Sequence, residues 1–507
     1  MSAASENNKR IAKNTAMLYI RMLLIMAVTL YTSRVVLEVL GVEDFGIYNI
    51  VGGVVVLFSF INNAMATATQ RFLNFELGRN DIKEVGRVFS MSMTAHISIA
   101  LLVLLLAETI GLWFLLTQMN IPDGRMNAAV WCYQFSILTT CVQIIRVPYN
   151  ACIIAYERMS FYAYISILEV ILKLLIVFLL SIGGFDKLIL YSILMFLVTV
   201  AVCYAYKIVC NRNFNISRYS FFWDKTLYKK LMSFSGWSLF GSAANVGAQQ
   251  GLNILLNIFC GVTVNAAMGI ANQVSHAVYS FVSNFQVAFN PQIVKSYASG
   301  DKAYFERLIF QASKFSFFLL FIISLPFLLK CDFVLSVWLK EVPEYAVPFT
   351  QLILIFLMID AISAPLWISV QAMGNIRNYQ ILMSFLILLN LPLGYLVLYC
   401  GLKPESVLVI RVLVNLITYI VRIGYLKRRI AFPVWQYLKE VLGISLLVAI
   451  LSTPIPLFIN KLYPSWQGFV ITTIVSIFCV LTVTFFVGFT KAEKVYVQNI
   501  IRRKLNR

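Results

Sequence analysis

The chain has 507 residues, of which 60% are hydrophobic and only 12% charged. Soluble domains carry about a quarter charged residues, so the composition excludes a soluble globular protein. The formal net charge of +19 would fit a nucleic-acid binder, but the cations collect where a membrane topology puts them, and no nucleic-acid partner is expected.

Apolar runs of membrane-spanning length recur along the whole chain. Fourteen spans are predicted, at about 14–38, 44–67, 88–115, 127–150, 160–182, 187–209, 231–257, 265–289, 307–329, 347–372, 380–400, 406–426, 439–459 and 468–489. The first lacks a small-x-small cleavage site and reads as a membrane helix that stays. Connections are short, the longest being "CNRNFNISRYSFFWDKTLYKK" at 210–230. Lys and Arg crowd the loops on one side, in "NNKRIAK", "YLKRR" and the tail "IIRRKLNR", which places both termini in the cytoplasm. The nine cysteines are scattered without CxxC spacing and read as packing residues.

In chain order, span 1 carries Arg21 within it and Arg34 near its end, and Arg71 follows span 2. Span 3 holds His96 and Glu108, span 4 Arg146, and span 5 Glu169 and Lys173 at ion-pair spacing. Span 7 lines up Ser235, Ser238, Ser242, Asn245, Gln249 and Asn253 on one helical face. Span 8 does the same with Asn272, His276, Tyr279, Ser283, Gln286 and Asn290. Lipid satisfies none of these groups, so the stripes face other helices or water. Lys314 lies in span 9. Asp360 lies near the middle of span 10, its face continued by Ser363, Trp367 and Gln371. It has no basic partner on its own helix, so it either pairs across helices or is protonated.

Span 12 contains "VIRVLVNLITYIVR", with Arg411, Asn415, Thr418 and Arg422 on one line. The two arginines either snorkel to the surface or line a cavity; the polar residues between them favour the cavity. A basic residue at mid-bilayer costs about 2.5–3.5 kcal/mol, and six such residues (Arg21, Arg146, Lys173, Lys314, Arg411 and Arg422) do not face lipid together. Cations outnumber acids inside the spans. The enclosed space should therefore attract an anion, and arginine suits phosphate through its forked donors. Spans 13 and 14 contain no intramembrane charge.

Three anchors repeat at nearly constant offset. "LGVEDFGIYN" (40–49) resembles "CGVTVNAAMGIAN" (260–272), pairing Gly41 with Gly261. "TQRFLNFELGRND" (69–81) lines up with "PQIVKSYASGDKA" (291–303), pairing Gly78 with Gly300. "PYNACIIAYERMSFY" (148–162) lines up with "PLWISVQAMGNIRNY" (365–379), pairing Pro148 with Pro365 and Ala155 with Ala372. The expected fold class is all-α: a polytopic membrane protein with two pseudo-symmetric six-helix bundles and two extra helices. The expected division is 1–209 for the first bundle, 210–230 for a cytoplasmic linker, 231–430 for the second bundle, and 431–507 for helices 13–14 and the basic tail. Paired bundles around a site at their interface are a common transporter plan. A membrane glycan polymerase or ligase is the rival enzyme class. The richest outward loop, "KCDFVLSVWLKEVPEY" (330–345), lacks metal-ligand spacing and a basic clamp, so no catalytic residue, metal or cofactor is expected.

The opening "NNKRIAKNTAMLYIRMLLIMAVTLYTSRVVLEVLGVEDFGIYNIVGGVV", with "TQRFLNFELG", resembles bacterial polysaccharide flippases. These form the Wzx-like branch of the multidrug/oligosaccharidyl-lipid/polysaccharide exporter superfamily. The resemblance implies a flippase of the bacterial inner membrane working by alternating access. Its cargo would be a polyprenyl-pyrophosphate-linked oligosaccharide for lipopolysaccharide or other surface polysaccharide. It further implies contact with membrane lipid, a coupling ion (H+ or Na+), and polysaccharide polymerase machinery as a partner. On that reading Arg21, Arg34, Arg71, Arg146, Arg411 and Arg422 hold the pyrophosphate. Ser242, Asn245, Gln249, Asn272 and Gln286 face the sugars. Asp360 is the first candidate for ion coupling, with Glu169 and Lys173. An ion-coupled drug or small-molecule antiporter of the same fold is the alternative; its drug-exporting relatives are expected to carry acidic cavities, opposite to the bias here.

Overall fold

The computed structural model describes residues 3–118, 121–122, 124–180, 184–339, 341–462, 466–495 and 498, without the side chains at 3–9, 12, 29–30, 33–34, 37, 42–43, 45, 49–50, 52–63, 118 and 262. Among the described residues there is no strand, and the chain is all-α. Among the described residues ten helices are long and apolar enough to cross a membrane: Ile82–Thr117, Met126–Ala155, Met159–Leu179 and Lys187–Asn213, then Lys302–Leu329, Ala346–Met373, Arg377–Tyr399, Glu405–Ile430, Val434–Leu462 and Trp466–Gly488. They coincide with spans 3–6 and 9–14. Spans 1 and 2 share one helical stretch, Ala3–Gly78. Spans 7 and 8 form Lys225–Cys260 and Val262–Ala298.

The duplication is written in the backbone. Span 1 passes into span 2 through Gly41 alone, at φ 77° and ψ 168°. Span 7 passes into span 8 through Gly261 alone, at φ 83°. Both turns need a positive φ, which glycine adopts without a Cβ clash. Helix-internal prolines fall at Pro148 and Pro365. The second anchor needs a correction. Gly78 is the last residue of its helix, and the positive-φ partner of Gly300 is Asn80, at φ 57°. The next residues, Asp81 and Asp301, both cap the following helix, accepting from the N–H of Glu84 at 3.1 Å and of Tyr304 at 3.0 Å. Two residues of register separate the sequence match from the structural one, because the αL end and its cap define the turn, not the nearest glycine.

The third pair is Glu157 at φ 57° and Gly374 at φ 84°. Glu157 ends its helix in the Schellman pattern: its N–H bonds Ile154 O at 2.9 Å, and Arg158 N–H bonds Ile153 O at 3.0 Å. A non-glycine residue there costs roughly 1–2 kcal/mol, so the carboxylate must contribute something glycine does not.

Two compact units are present. The first comprises Met1–Ala243, Val294–Gly300 and Ala372–Arg377. Its core includes Ile47, Val51, Leu115, Tyr133, Ile137 and Leu188. One arginine ties its outward turns together. Arg125 Nε donates to Asp44 Oδ1 at 2.9 Å, and its Nη1 pairs with Asp186, which also caps the span 6 helix through Leu188 N–H at 3.1 Å. Burial alone would push the Asp186 carboxyl up. The Arg125 guanidinium and the Ile189 and Leu188 N–H groups outweigh it and hold the group below the usual carboxylate range. Because the folded value lies below the unfolded one, this stabilisation is complete above about pH 4 and lost as pH falls through the native value. Arg125 is a quarter exposed, so Arg125→Gln should cost only about 1–2 kcal/mol. Thermal unfolding of the purified protein near neutral pH, repeated near pH 3, should show the difference shrink in acid.

The second unit comprises Ala244–Ile293, Asp301–Gln371 and Asn378–Arg507. Its core joins Leu252, Leu256, Met268, Val282, Phe349 and Leu354 across spans 7, 8 and 10. The extra helices are fastened to span 9 by polar contacts. Lys314 Nζ meets Glu493 Oε2 at 2.9 Å, and buried Tyr437 donates to Ser313 Oγ at 3.2 Å. Lys314 is thus satisfied by a carboxylate from beyond span 14.

Candidate functional site

In the second unit the polar stripe of span 12 meets span 10. Arg422 Nη1 donates to Ser363 O at 3.0 Å and Ser363 Oγ at 2.6 Å. Its guanidinium lies 5.9 Å from the Tyr379 ring. Arg411 stacks over Phe356 at 4.4 Å. Asn415 Nδ2 bonds Phe356 O at 3.1 Å, and Thr418 bonds back to Asn415 O at 2.7 Å. This line of span 12 is therefore turned toward span 10 rather than spread over lipid.

Asp360 lies among groups contributed by other helices. The Tyr279 hydroxyl of span 8 neighbours its carboxyl group, and Arg422 and Arg411 of span 12 face it. The cluster holds two cations and one acid, a net positive charge. Arg411 Nη1 and Arg422 Nε are buried and make no hydrogen bond. A buried donor without a partner costs about 1–3 kcal/mol; an anionic ligand would relieve it. Ser363 was visible from helical spacing. Tyr279 stood on the span 8 stripe, but nothing in sequence brings it to span 10.

In the first unit Glu169 sits between two cations. Arg146 Nη1 lies 3.0 Å from Oε2 and Lys173 Nζ 2.7 Å from Oε1. The Glu169–Lys173 pair is the one that sequence spacing pointed to; Arg146 joins it from span 4, again leaving a net positive charge. Arg146 also lies 5.5 Å from the Tyr206 ring. Arg21 stacks on Tyr162 at 4.3 Å, and its buried Nε makes no hydrogen bond. Arg34 lies outside the described side chains.

Arg71 is placed differently. It is 7% exposed and donates through Nη2 to Ala372 O at 2.8 Å. Phe72 and Phe75 lie under its guanidinium at 4.7 and 4.5 Å. A Cβ on Gly374 would stand 2.5 Å from Arg71 Nη2, so that glycine gives the arginine its space. The first unit holds a further cluster that the sequence did not disclose. Glu157, 2% exposed, receives Arg10 Nε at 2.8 Å and Lys295 Nζ at 2.6 Å. The signal was a carboxylate in "AYERM" at the position where the other repeat has Gly374.

Of the expected sugar-facing residues, Gln286 is buried. Its Nε2 bonds Ser316 Oγ at 3.2 Å and Ala361 O at 3.3 Å, bridging spans 8, 9 and 10. Asn245 is exposed; Ser242, Gln249 and Asn272 are half-buried. Among the described residues no group of three or more His, Cys, Asp or Glu could hold a metal.

The fold is that of transporters of the MOP superfamily. The chain superposes with a TM-score of 0.70 on a multidrug resistance MATE family transporter of that superfamily in an outward-facing conformation, at 13% identity, covering 84% of this chain and 96% of that one. A MOP superfamily transporter from Pyrococcus furiosus Vc1 (DSM3638), described as having a binding pocket of reverse polarity, gives 0.67 at 13% identity, over 84% and 96%. A MATE in complex with MaL6 gives 0.67 at 15% identity, over 85% and 99%. No family model matches the chain, and no curated protein matches it by sequence.

Proposed function

We propose that the protein is a flippase. It carries polyprenyl-pyrophosphate-linked oligosaccharide from the cytoplasmic to the outer leaflet of a bacterial inner membrane by alternating access, for surface polysaccharide synthesis. The observation that carries this reading is the cationic bias of the intramembrane clusters. Arg411 and Arg422 outnumber Asp360, Arg146 and Lys173 outnumber Glu169, and three of these arginines together with Arg21 supply either unused donors or ring-stacked guanidinium faces. A phosphorylated headgroup answers such an excess, whereas a cationic drug meets repulsion. Asp360, beside Tyr279 and facing the two arginines, is the residue through which an H+ or Na+ gradient would act. Polysaccharide polymerase machinery is the partner this function requires downstream.

A drug or small-molecule antiporter is the second reading, because the solved neighbours include multidrug MATE transporters. One experiment separates the two. Proteoliposomes are prepared with a fluorescent polyprenyl-pyrophosphate oligosaccharide in one leaflet, and in parallel with a fluorescent cation under an imposed H+ or Na+ gradient. The expected result is protein-dependent transfer of the lipid and no cation uptake. Cation uptake without lipid transfer would replace the flippase by the antiporter.

A further inference from the structure

The segment between spans 6 and 7 plays no part in the clusters above. Residues 218–224 are neither helix nor strand and run from the short 3-10 turn Asn215–Ser217 to the helix starting at Lys225. Arg218 has extended backbone, φ −73° and ψ 104°. Side chains of an extended segment alternate between faces, and here the two faces differ. Phe222 and Asp224 turn inward. Arg87 from the span 3 helix lies 4.9 Å from the Phe222 ring and pairs with Asp224 Oδ2 at 3.1 Å. The N–H groups of Leu227 and Thr226, with Arg87 behind them, hold the Asp224 carboxyl below its usual range.

The other face carries Tyr219, Phe221 and Trp223, which are 40%, 76% and 54% exposed. The ribbon is not loose. The Tyr219 hydroxyl lies 3.2 Å from Thr94 Oγ1, and the Trp223 ring centroid lies 4.8 Å from that of Tyr228, tilted by 36°. Phe222 and Asp224 thus fix the segment from behind, Tyr219 and Trp223 are each steadied by a neighbour, and Phe221 is the most exposed of the three rings. Arg218, Lys225 and Lys229 around them are all exposed, while the single acid of the segment is consumed by Arg87.

The segment follows the span 6 helix, which is long and apolar enough to cross a membrane, by a single 3-10 turn, so it stays close to the bilayer surface. Tyr and Trp concentrate where headgroups meet acyl chains, and clustered Lys and Arg next to a membrane helix attract anionic lipid. We propose that residues 218–229 are a membrane-surface anchor: Tyr219, Phe221 and Trp223 enter the headgroup layer of the adjoining leaflet, and Arg218, Lys225 and Lys229 hold the phosphates of anionic lipids. The occupant is a lipid surface, because rings flanked by exposed cations match headgroups above acyl chains. This placement does not depend on the cargo proposed above.

The test uses the full chain, labelled with 5-fluorotryptophan, in nanodiscs of phosphatidylcholine and phosphatidylglycerol. The Trp223 fluorine resonance is assigned by its loss in Trp223→Phe, and the other tryptophan resonances report that the variant is folded. A headgroup spin-labelled lipid should bleach the Trp223 resonance. Nanodiscs of phosphatidylcholine alone should move its chemical shift, and the triple variant Arg218→Gln, Lys225→Gln, Lys229→Gln should lose that lipid-dependent movement. Bleaching by a water-soluble relaxation agent with no effect of the lipid label would overturn the proposal. So would bleaching by neither agent, which would mean that another part of the chain covers the rings.

Discussion

Arg422→Gln should abolish lipid-linked oligosaccharide transfer and also destabilise the second unit. The two effects have separate causes. Arg422 is the first of the charges facing Asp360, and it also donates to Ser363. Removing it leaves a half-buried carboxylate with Tyr279 and the more distant help of Arg411. Uncompensating a buried charge costs about 3–5 kcal/mol; Arg411 and Tyr279 remain, so a loss near the lower end is expected. The double variant Arg422→Gln, Asp360→Asn removes both charges, and stability should recover by about 1–3 kcal/mol relative to additivity. Transport should not recover, because the donor intended for the anion is still missing. Thermal unfolding and lipid transfer, measured on both single variants and the double, make the comparison. If transfer returned in the double variant, Arg422 would serve only to neutralise Asp360, and the anion site would have to be sought elsewhere.

The second large effect is expected at Glu157. Its carboxylate side chain is fully enclosed, Lys295 is mostly enclosed and Arg10 is nearly half exposed. Most of the attraction must therefore come from Lys295, since screening by water leaves exposed pairs worth about 0–1 kcal/mol. Lys295→Met should cost about 3 kcal/mol, while Arg10→Met should cost under about 1 kcal/mol. Glu157→Gln should resemble Lys295→Met, because either change breaks the enclosed Glu157–Lys295 pair. The readout is the unfolding temperature followed by loss of the monodisperse chromatographic peak. Equal effects of Arg10→Met and Lys295→Met would show that the enclosed geometry does not set the energetics.

Much of this molecule could be read from its sequence because lipid imposes simple rules. Spans 3–6 and 9–14 are continuous apolar runs, and the helices coincide with them. Spans 7 and 8, with their polar stripes, each form one continuous helix, although neither is among the ten helices apolar enough to cross a membrane. Sequence also exposed the repeat, although Gly78 was matched where Asn80 belongs. The sequence ranks Gly78 highly because it is glycine, whereas the chain uses Asn80 for the αL end and spends Gly78 on a close approach. A Cβ there would stand 2.5 Å from Lys295 O.

The clusters were legible only in part. Glu169 with Lys173, and Asp360 with Ser363, are four and three residues apart on one helix, and helical geometry alone brings such pairs together. Arg146 with Glu169, Tyr279 with Asp360, and Glu157 with Arg10 and Lys295 each join separate helices. Their meeting depends on how helices pack and rotate about their axes, which periodicity does not encode. The bonding of Arg71 to Ala372 O is of the same kind. Its charge is plain in the sequence, but a backbone carbonyl carries no sequence signal.

The first two crossings, and again the seventh and eighth, are joined by one glycine each, with helix on both sides. A single residue offers no slack. Any axial slip or tilt at the top of one rod is passed to its neighbour undamped, as a crank passes motion to a connecting arm. Longer connections in these two places would act as springs, absorbing displacement that a stiff joint must transmit.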